Sequence, residues 1–214
     1  MDNRQVEMDR TRDADRTRED ILDVATREFA DSGYSGARID KIAEQTQCTK
    51  RMIYYYFGSK EQLWIAVLER AYSGIREAEQ GLDVEGLDPT AAIRRLAELT
   101  YDHHTAHPDF LRLVSVENIH RGEHIAKSTA VASSNRPVIE LLERILARGR
   151  EIGVFRSGVD ALDVHMMISA YCVFPVANAH TFGVLFGRDL MNPARHSHQR
   201  RLLGDMLVAY LTGK

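Results

Sequence analysis

Residues 49–63 read Thr49-Lys50-Arg51-Met52-Ile53-Tyr54-Tyr55-Tyr56-Phe57-Gly58-Ser59-Lys60-Glu61-Gln62-Leu63. At helical spacing Ile53, Tyr56 and Phe57 share one face of a short helix. Lys50, Arg51, Tyr54 and Tyr55 project from the other, with Lys50/Tyr54 and Arg51/Tyr55 each one turn apart. Two tyrosines beside two cations are poorly suited to a merely solvated face. They suit a surface pressed against DNA, where hydroxyl and ammonium groups reach phosphates and a guanidinium reads guanine edges. Thr49 and Lys60 stand at helix starts, where backbone N–H groups also favour phosphate. Tyr56 is better read as local aromatic packing.

Outward from this stretch the pattern is helical throughout. Upstream, Thr17 to Asp20 has the spacing of a capping box, and Ile21, Leu22, Ala25 and Phe29 repeat along one face. Gly33 can supply a left-handed C-cap. A second short helix carries Ile39, Ile42 and Ala43 inward and ends near Thr46; Thr49 caps the third, through Phe57. Ser59, with Gln62 as its reciprocal partner, caps a fourth that runs towards Gln80 with Leu63, Val67 and Ala71 apolar. After a loop, Asp88-Pro89 reads as N-cap followed by proline at the first helical position. Further helices are predicted at about 89–106, 108–119, 135–152, 160–185 and 193–212, with Asn135, Asp160 and Asn192 as cap candidates. No useful β-alternation occurs. The predicted fold class is all-α: residues 1–15 a disordered charged arm, 16–60 a three-helix DNA-binding domain, and 61–214 a larger helical domain.

Composition narrows the class. The 214 residues are 44% hydrophobic, enough for a real core, and no run reaches the roughly 20 apolar residues of a membrane span. No secretory signal is visible, so a cytoplasmic protein without membrane association is expected. Cys48 and Cys172 fit no metal or redox spacing and read as free thiols. Net charge is −3, yet residues 33–60 hold five basic side chains against two acidic, a local basic face able to engage phosphate.

Ile42-Ala43 followed by residues 49–63 resembles the DNA-binding domain of the TetR family of regulators, over about residues 17–75. The resemblance implies an N-terminal helix-turn-helix, a helical C-terminal domain, and a homodimer built on the last two long helices. It also implies that Lys50, Arg51, Tyr54, Tyr55 and Lys60 face an operator in double-stranded DNA. One departure concerns the second helix. Many members cap it with Thr, whereas here Ala37 follows Ser35 and Gly36, and the phosphate role passes to Arg38. The C-terminal half is similar to the branch holding the pyrimidine-utilisation repressor, which implies a small heteroaromatic or carboxylate effector.

Within that half, a pocket is sought among polar residues on apolar helices. Residues 109–119 are apolar almost all round, which predicts a buried helix carrying Ser115 and Asn118, with Arg112 and Glu117 in need of partners. In 161–185, Tyr171 and Phe174 surround Asn178, and Pro175 predicts a kink. Arg112, Ser115, Asn118, Tyr171, Phe174 and Asn178 are therefore the candidate effector contacts, with Asn118 and Asn178 foremost because buried amides need partners. The alternative for both amides is that they satisfy backbone groups at the Pro175 kink or the dimer seam. Leu202, Leu203, Met206, Leu207, Tyr210 and Leu211 form a stripe suited to a dimer seam. His103/His107 and His120/His124 have one-turn spacing but read as solvated helix faces or loop residues, so no metal or other cofactor is expected. No phosphate loop, nucleophile elbow, HExxH or dinucleotide glycine pattern occurs, and no enzymatic activity is expected. The function expected is that of a repressor released from DNA by a small molecule.

Overall fold

In a computed structural model, residues 3–213 are described, with side chains from Arg12 onward. Every regular element among them is helical: α1 (Asn3–Gly36), α2 (Ile39–Thr46), α3 (Lys50–Phe57), α4 (Lys60–Gln80), α5 (Pro89–Ala106), α6 (Pro108–Ile119), α7 (Thr129–Ser134), α8 (Arg136–Glu151), α9 (Ala161–Ala177), α10 (Ala179–Phe186) and α11 (Pro193–Thr212), plus one 3-10 turn at Ile125–Lys127. The all-α class matches the sequence reading.

Three local expectations differ. α1 begins at Asn3, so helix replaces the expected disordered arm. Opposite charges at Arg12/Asp15, Asp13/Arg16 and Arg16/Asp20 have the spacing that supports a solvated helix. Thr17 consequently caps nothing; its hydroxyl donates to the Asp13 carbonyl at 2.8 Å in mid-helix. The segment 160–185 is two helices bent by 70°, and α7 is additional. The break falls at Asn178, three residues after Pro175, whose missing N–H has already weakened the ladder.

The chain divides into two compact units, Met1–Ala71 with Arg112–Thr129, and Tyr72–Leu111 with Ala130–Lys214. The division falls later than the expected boundary at residue 60 and gives 112–129 to the N-terminal unit. In that unit Ile21, Leu22, Ala25 and Phe29 of α1 bury against Ile42, Ile53, Phe57, Leu63, Trp64 and Leu113. Gly33 (φ 70°) breaks the α1 helix, and Gly58 (φ 75°) turns the chain between α3 and α4, a region of backbone space that favours glycine. Thr49 Oγ1 accepts from Met52 N at 3.2 Å and Ser59 Oγ from Gln62 N at 3.1 Å, the caps the sequence predicts.

The second unit packs α5, α8, α9 and α11 around Ile93, Leu96, Tyr101, Leu142, Ile145, Val164, Ile168, Cys172, Leu203 and Leu207. Asp88, Asp160 and Asn192 cap their helices through side-chain oxygens. Asn135 does not; its amide donates backward to the Val131 carbonyl at 3.0 Å. Phe155 lies so close over α8 that a Cβ on Gly149 would sit 1.9 Å from the ring. Gly149→Ala is expected to displace Phe155 and cost about 1–3 kcal/mol, measured as a lower midpoint in thermal or urea denaturation.

Candidate functional site

α3 is anchored by Ile53 and Phe57, which points Tyr55 (83% exposed) and Tyr54 (44%) outward. Tyr56 packs its ring against Tyr55 and Phe57, in line with the local role expected for it. Lys50 ion-pairs with Asp40 of α2, and Arg38 reaches the same carboxylate at 3.7 Å. One acidic side chain of α2 thus holds cations from the start of α2 and the start of α3. Arg38 is the N-cap residue of α2 and makes no side-chain cap. Its backbone N–H is instead received by Glu28 Oε1 at 3.2 Å, while Glu28 Oε2 holds Lys41 at 2.7 Å. Glu28 is buried on α1 and orients the turn into α2. The sequence offered one signal for it, an acid on the otherwise apolar inner side of α1. Lys60 Nζ donates to the Ala37 carbonyl at 2.6 Å and lies over the Tyr34 ring. Burial lowers its pKa against the opposing pull of Glu28. Lys60 is therefore tied to the turn before α2.

In the same unit Glu117, on α6, is 4% exposed and receives four donors. Oε1 accepts from the backbone N–H groups of His124 and Ile125, each at 2.9 Å; Oε2 accepts from Trp64 Nε1 at 2.9 Å and faces His124 Nδ1 at 3.0 Å. Burial pushes its pKa up, but the bonds from Ile125, Trp64 and His124 more than reverse this and hold it low. His124 is buried, with Tyr34 at 4.5 Å, Trp64 at 6.2 Å and His120 at 5.4 Å between ring centres. His120 and His124, expected as a solvated face or loop residues, do lie in the turn after α6, but His124 is packed into an aromatic cluster because Glu117 draws it inward. Arg112 finds Asp31 at 3.3 Å.

The six candidate effector contacts are divided between the two units. Arg112, Ser115 and Asn118 lie exposed in the N-terminal unit; Phe174 is exposed and Tyr171 and Asn178 are half-buried in the other. The premise that Asn118 is buried fails; its amide donates to the Val114 carbonyl at 2.9 Å, and that of Asn178 to the Phe174 carbonyl at 3.3 Å. Each bonds the carbonyl one turn back: Asn178 does so beside Pro175, in keeping with the alternative reading, and Asn118 does so within α6. Tyr171 packs beside Tyr101, and Phe174 is half exposed against Phe182.

The second unit gathers a different set of polar residues. Arg76 and Glu79 on α4 are buried, with Nη1 and Oε2 2.5 Å apart. His104 of α5 is buried as well, beside the partly buried His103 and the ring of Phe110. Arg76 Nε and Nη1, Glu79 Oε2, His103 Nδ1 and His104 Nδ1 are buried atoms without a hydrogen bond among the described residues. Burial lowers the pKa of His103 and His104 to about 4, each helped by a neighbouring histidine and by Arg76, and raises that of Glu79 to about 7 against the pull of Arg76. The pair His103/His107, read as a solvated face or loop residues, is stacked at 4.3 Å at the edge of this cluster, with His107 at the C-terminal end of α5. Among the described residues no group of three His, Cys, Asp or Glu side chains converges as a metal site.

Two outcomes follow. Glu117→Ala strands the Trp64 indole, two backbone N–H groups and the His124 imidazole, and is expected to cost roughly 3–5 kcal/mol in denaturant titrations. For the histidines, the folded pKa of about 4 lies below the ordinary 6.5, so the unfolded chain binds more protons between those values. Stability should fall as pH drops from 6.5 towards 4, and His104→Leu should flatten melting temperature against pH across that window.

Residues 21–67 match the family model described as bacterial regulatory proteins, tetR family, and 89–207 match that of the tetracyclin repressor-like C-terminal domain. The HTH-type transcriptional repressor NicS of Pseudomonas putida is 34% identical over 199 residues, which is 93% of this chain and 94% of that one. The HTH-type transcriptional repressor SCO4008 of Streptomyces coelicolor is 29% identical over 187 residues, covering 82% and 86%. Among solved structures, the TetR family transcriptional regulator PfmR from Thermus thermophilus superposes with a TM-score of 0.64 at 25% identity, over 88% of this chain and 96% of that one. With both halves matched, and matched in their order, the chain belongs to the TetR family of bacterial transcription regulators.

Proposed function

We propose that this protein is a homodimeric repressor that leaves its operator when a small molecule occupies the C-terminal unit. The observation that carries this reading is the outward face of α3, where Tyr54, Tyr55, Lys50 and Arg51 stand on a helix held by the Thr49 cap and the Ile53/Phe57 anchor. Tyr55 and Tyr54 hydroxyls, with Arg38 and Thr49, position the duplex by its phosphates, and Lys50 and Arg51 reach base edges. Lys60 supports them by fixing the turn before α2. The relatives named as repressors give the direction of control.

A two-fold protein is needed to engage two half-sites roughly 34–36 Å apart. Leu162, Met166 and Phe174 of α9, Val184, Leu185 and Phe186 of α10, and Leu202 and Met206 of α11 are exposed, Val184 at 86%. So much apolar surface on consecutive helices suits a subunit seam. No single helix among the described residues is long and apolar enough to cross a membrane, and the bent α9–α10 pair serves better as this seam. In this reading the protein works in the cytosol, where its DNA is.

Selection from random duplex DNA should return a palindrome. On it, Arg51→Ala should lose ~1–3 kcal/mol at one base position and relax preference there. Tyr55→Phe should lose about 0.5–1.5 kcal/mol on every sequence alike. Recovery of no preferred sequence would sink the regulator reading. Val184→Glu should turn the dimer into a folded monomer by light scattering and abolish tight palindrome binding; a Val184→Glu dimer would place the seam elsewhere.

A further inference from the structure

Of the residues with unpartnered buried atoms in the C-terminal unit, Arg76 and Glu79 line a cavity. About 190 Å³ in volume, it is lined by Arg76 and Glu79 of α4, by Leu82, and by Val138, Leu141 and Arg144 of α8, among others. An engineered cavity of about 150 Å³ takes up benzene, so this one holds a single ring with one small polar group. Its walls divide by chemistry: Leu82, Val138 and Leu141 offer apolar surface, Arg76 and Arg144 offer positive charge. Glu140 also lines it but is committed to Arg136 at 2.7 Å. The remaining acid is Glu79.

We infer that this cavity is the effector site and that the effector is a compact carboxylate on a ring-sized apolar body, its carboxylate displacing Glu79 as the partner of Arg76. The inference rests on the ligand-released repressor reading and names where and what the ligand is. A guanidinium binds a carboxylate through charge-assisted N–H donors, and Arg76 has Nε and Nη1 both without a hydrogen bond. Glu79 touches it at 2.5 Å but at angles that make no hydrogen bond, a contact that a better-placed acid replaces. With its pKa near 7, Glu79 accepts a proton as the incoming anion takes the guanidinium, so no net charge is added to the buried site. The other groups around Arg76 and Glu79 are His103 and His104 from α5, His165 from α9, Tyr72 from α4, and Glu140 and Arg144 from α8. All three histidines are held neutral by burial, so near pH 7 Glu79 is the group that changes charge.

The full-length protein is titrated calorimetrically, and its melting temperature followed, with benzoate, cyclohexanecarboxylate, benzamide and benzylamine at millimolar concentration. Both carboxylates should bind and stabilise, and the neutral amide and the cation should not. Carboxylate affinity should weaken as pH rises above about 7, by up to about tenfold per pH unit, because ionised Glu79 competes for Arg76. Glu79→Gln should tighten benzoate binding above neutrality and remove that slope; Arg76→Gln should abolish binding. Should Arg76→Gln fail to fold, the Glu79→Gln arm still decides. Failure of both carboxylates, equal binding of benzylamine, or an unchanged pH slope in Glu79→Gln overturns the assignment. A protein that selects a palindrome yet ignores both carboxylates loses this site alone, whereas one that selects no DNA sequence loses the parent reading.

Discussion

The N-terminal unit depends on one carboxylate. Glu117 is remote in sequence from α1–α4, yet it satisfies Trp64, two backbone N–H groups and His124 at once. Such a group cannot be replaced piecemeal, since removal of one acceptor orphans several buried donors. It explains why residues 112–129 belong with the DNA-binding helices. Around it the aromatic cluster of Phe29, Tyr34, Trp64, His120 and His124 closes, with Phe29 and Trp64 edge to face at 5.0 Å. A second buried acid, Glu28, performs a similar task at the turn into α2. Acids on the inner sides of α6 and α1 therefore set the geometry behind the recognition surface.

Local chemistry was legible in the sequence and long-range pairing was not. The caps at Thr49, Ser59, Asp88, Asp160 and Asn192 involve partners two or three residues away, so their spacing announces them. The outward tyrosines of α3 were legible for the same reason. Glu117 announced only that it needed a partner; that the partner was Trp64, 53 residues away, is a property of the packed unit. The arm before Thr17 was misread because charge-rich composition signals solvation, and a solvated segment can still be helical when its charges alternate at one-turn spacing.

The effector contacts show the opposite error. Asn118 and Asn178 attracted attention as amides among apolar neighbours, but an amide can satisfy itself on the carbonyl one turn back, and both do. Arg76 and Glu79, one turn apart on α4, look like an ordinary surface ion pair in sequence. Their burial comes from α8 and α5, which sequence spacing does not reveal. Arg76 and Glu79 stand out in the structure instead as buried charges whose mutual contact is poorly aligned, because an ill-satisfied buried guanidinium is costlier than an ill-satisfied amide.

The exposed apolar rows on α9, α10 and α11 carry a consequence for how the regulator behaves at the copy numbers of a cell. With the proposed seam, Val184, Leu185 and Phe186, exposed in the single chain, would be covered in a pair of subunits, so that folding and pairing would draw on the same surface. Heat resistance then rises with protein concentration, and a freshly made, scarce chain is both the least durable and the least able to hold two half-sites. Control of transcription would thereby acquire a threshold in synthesis, set by the pairing constant, quite apart from any effector.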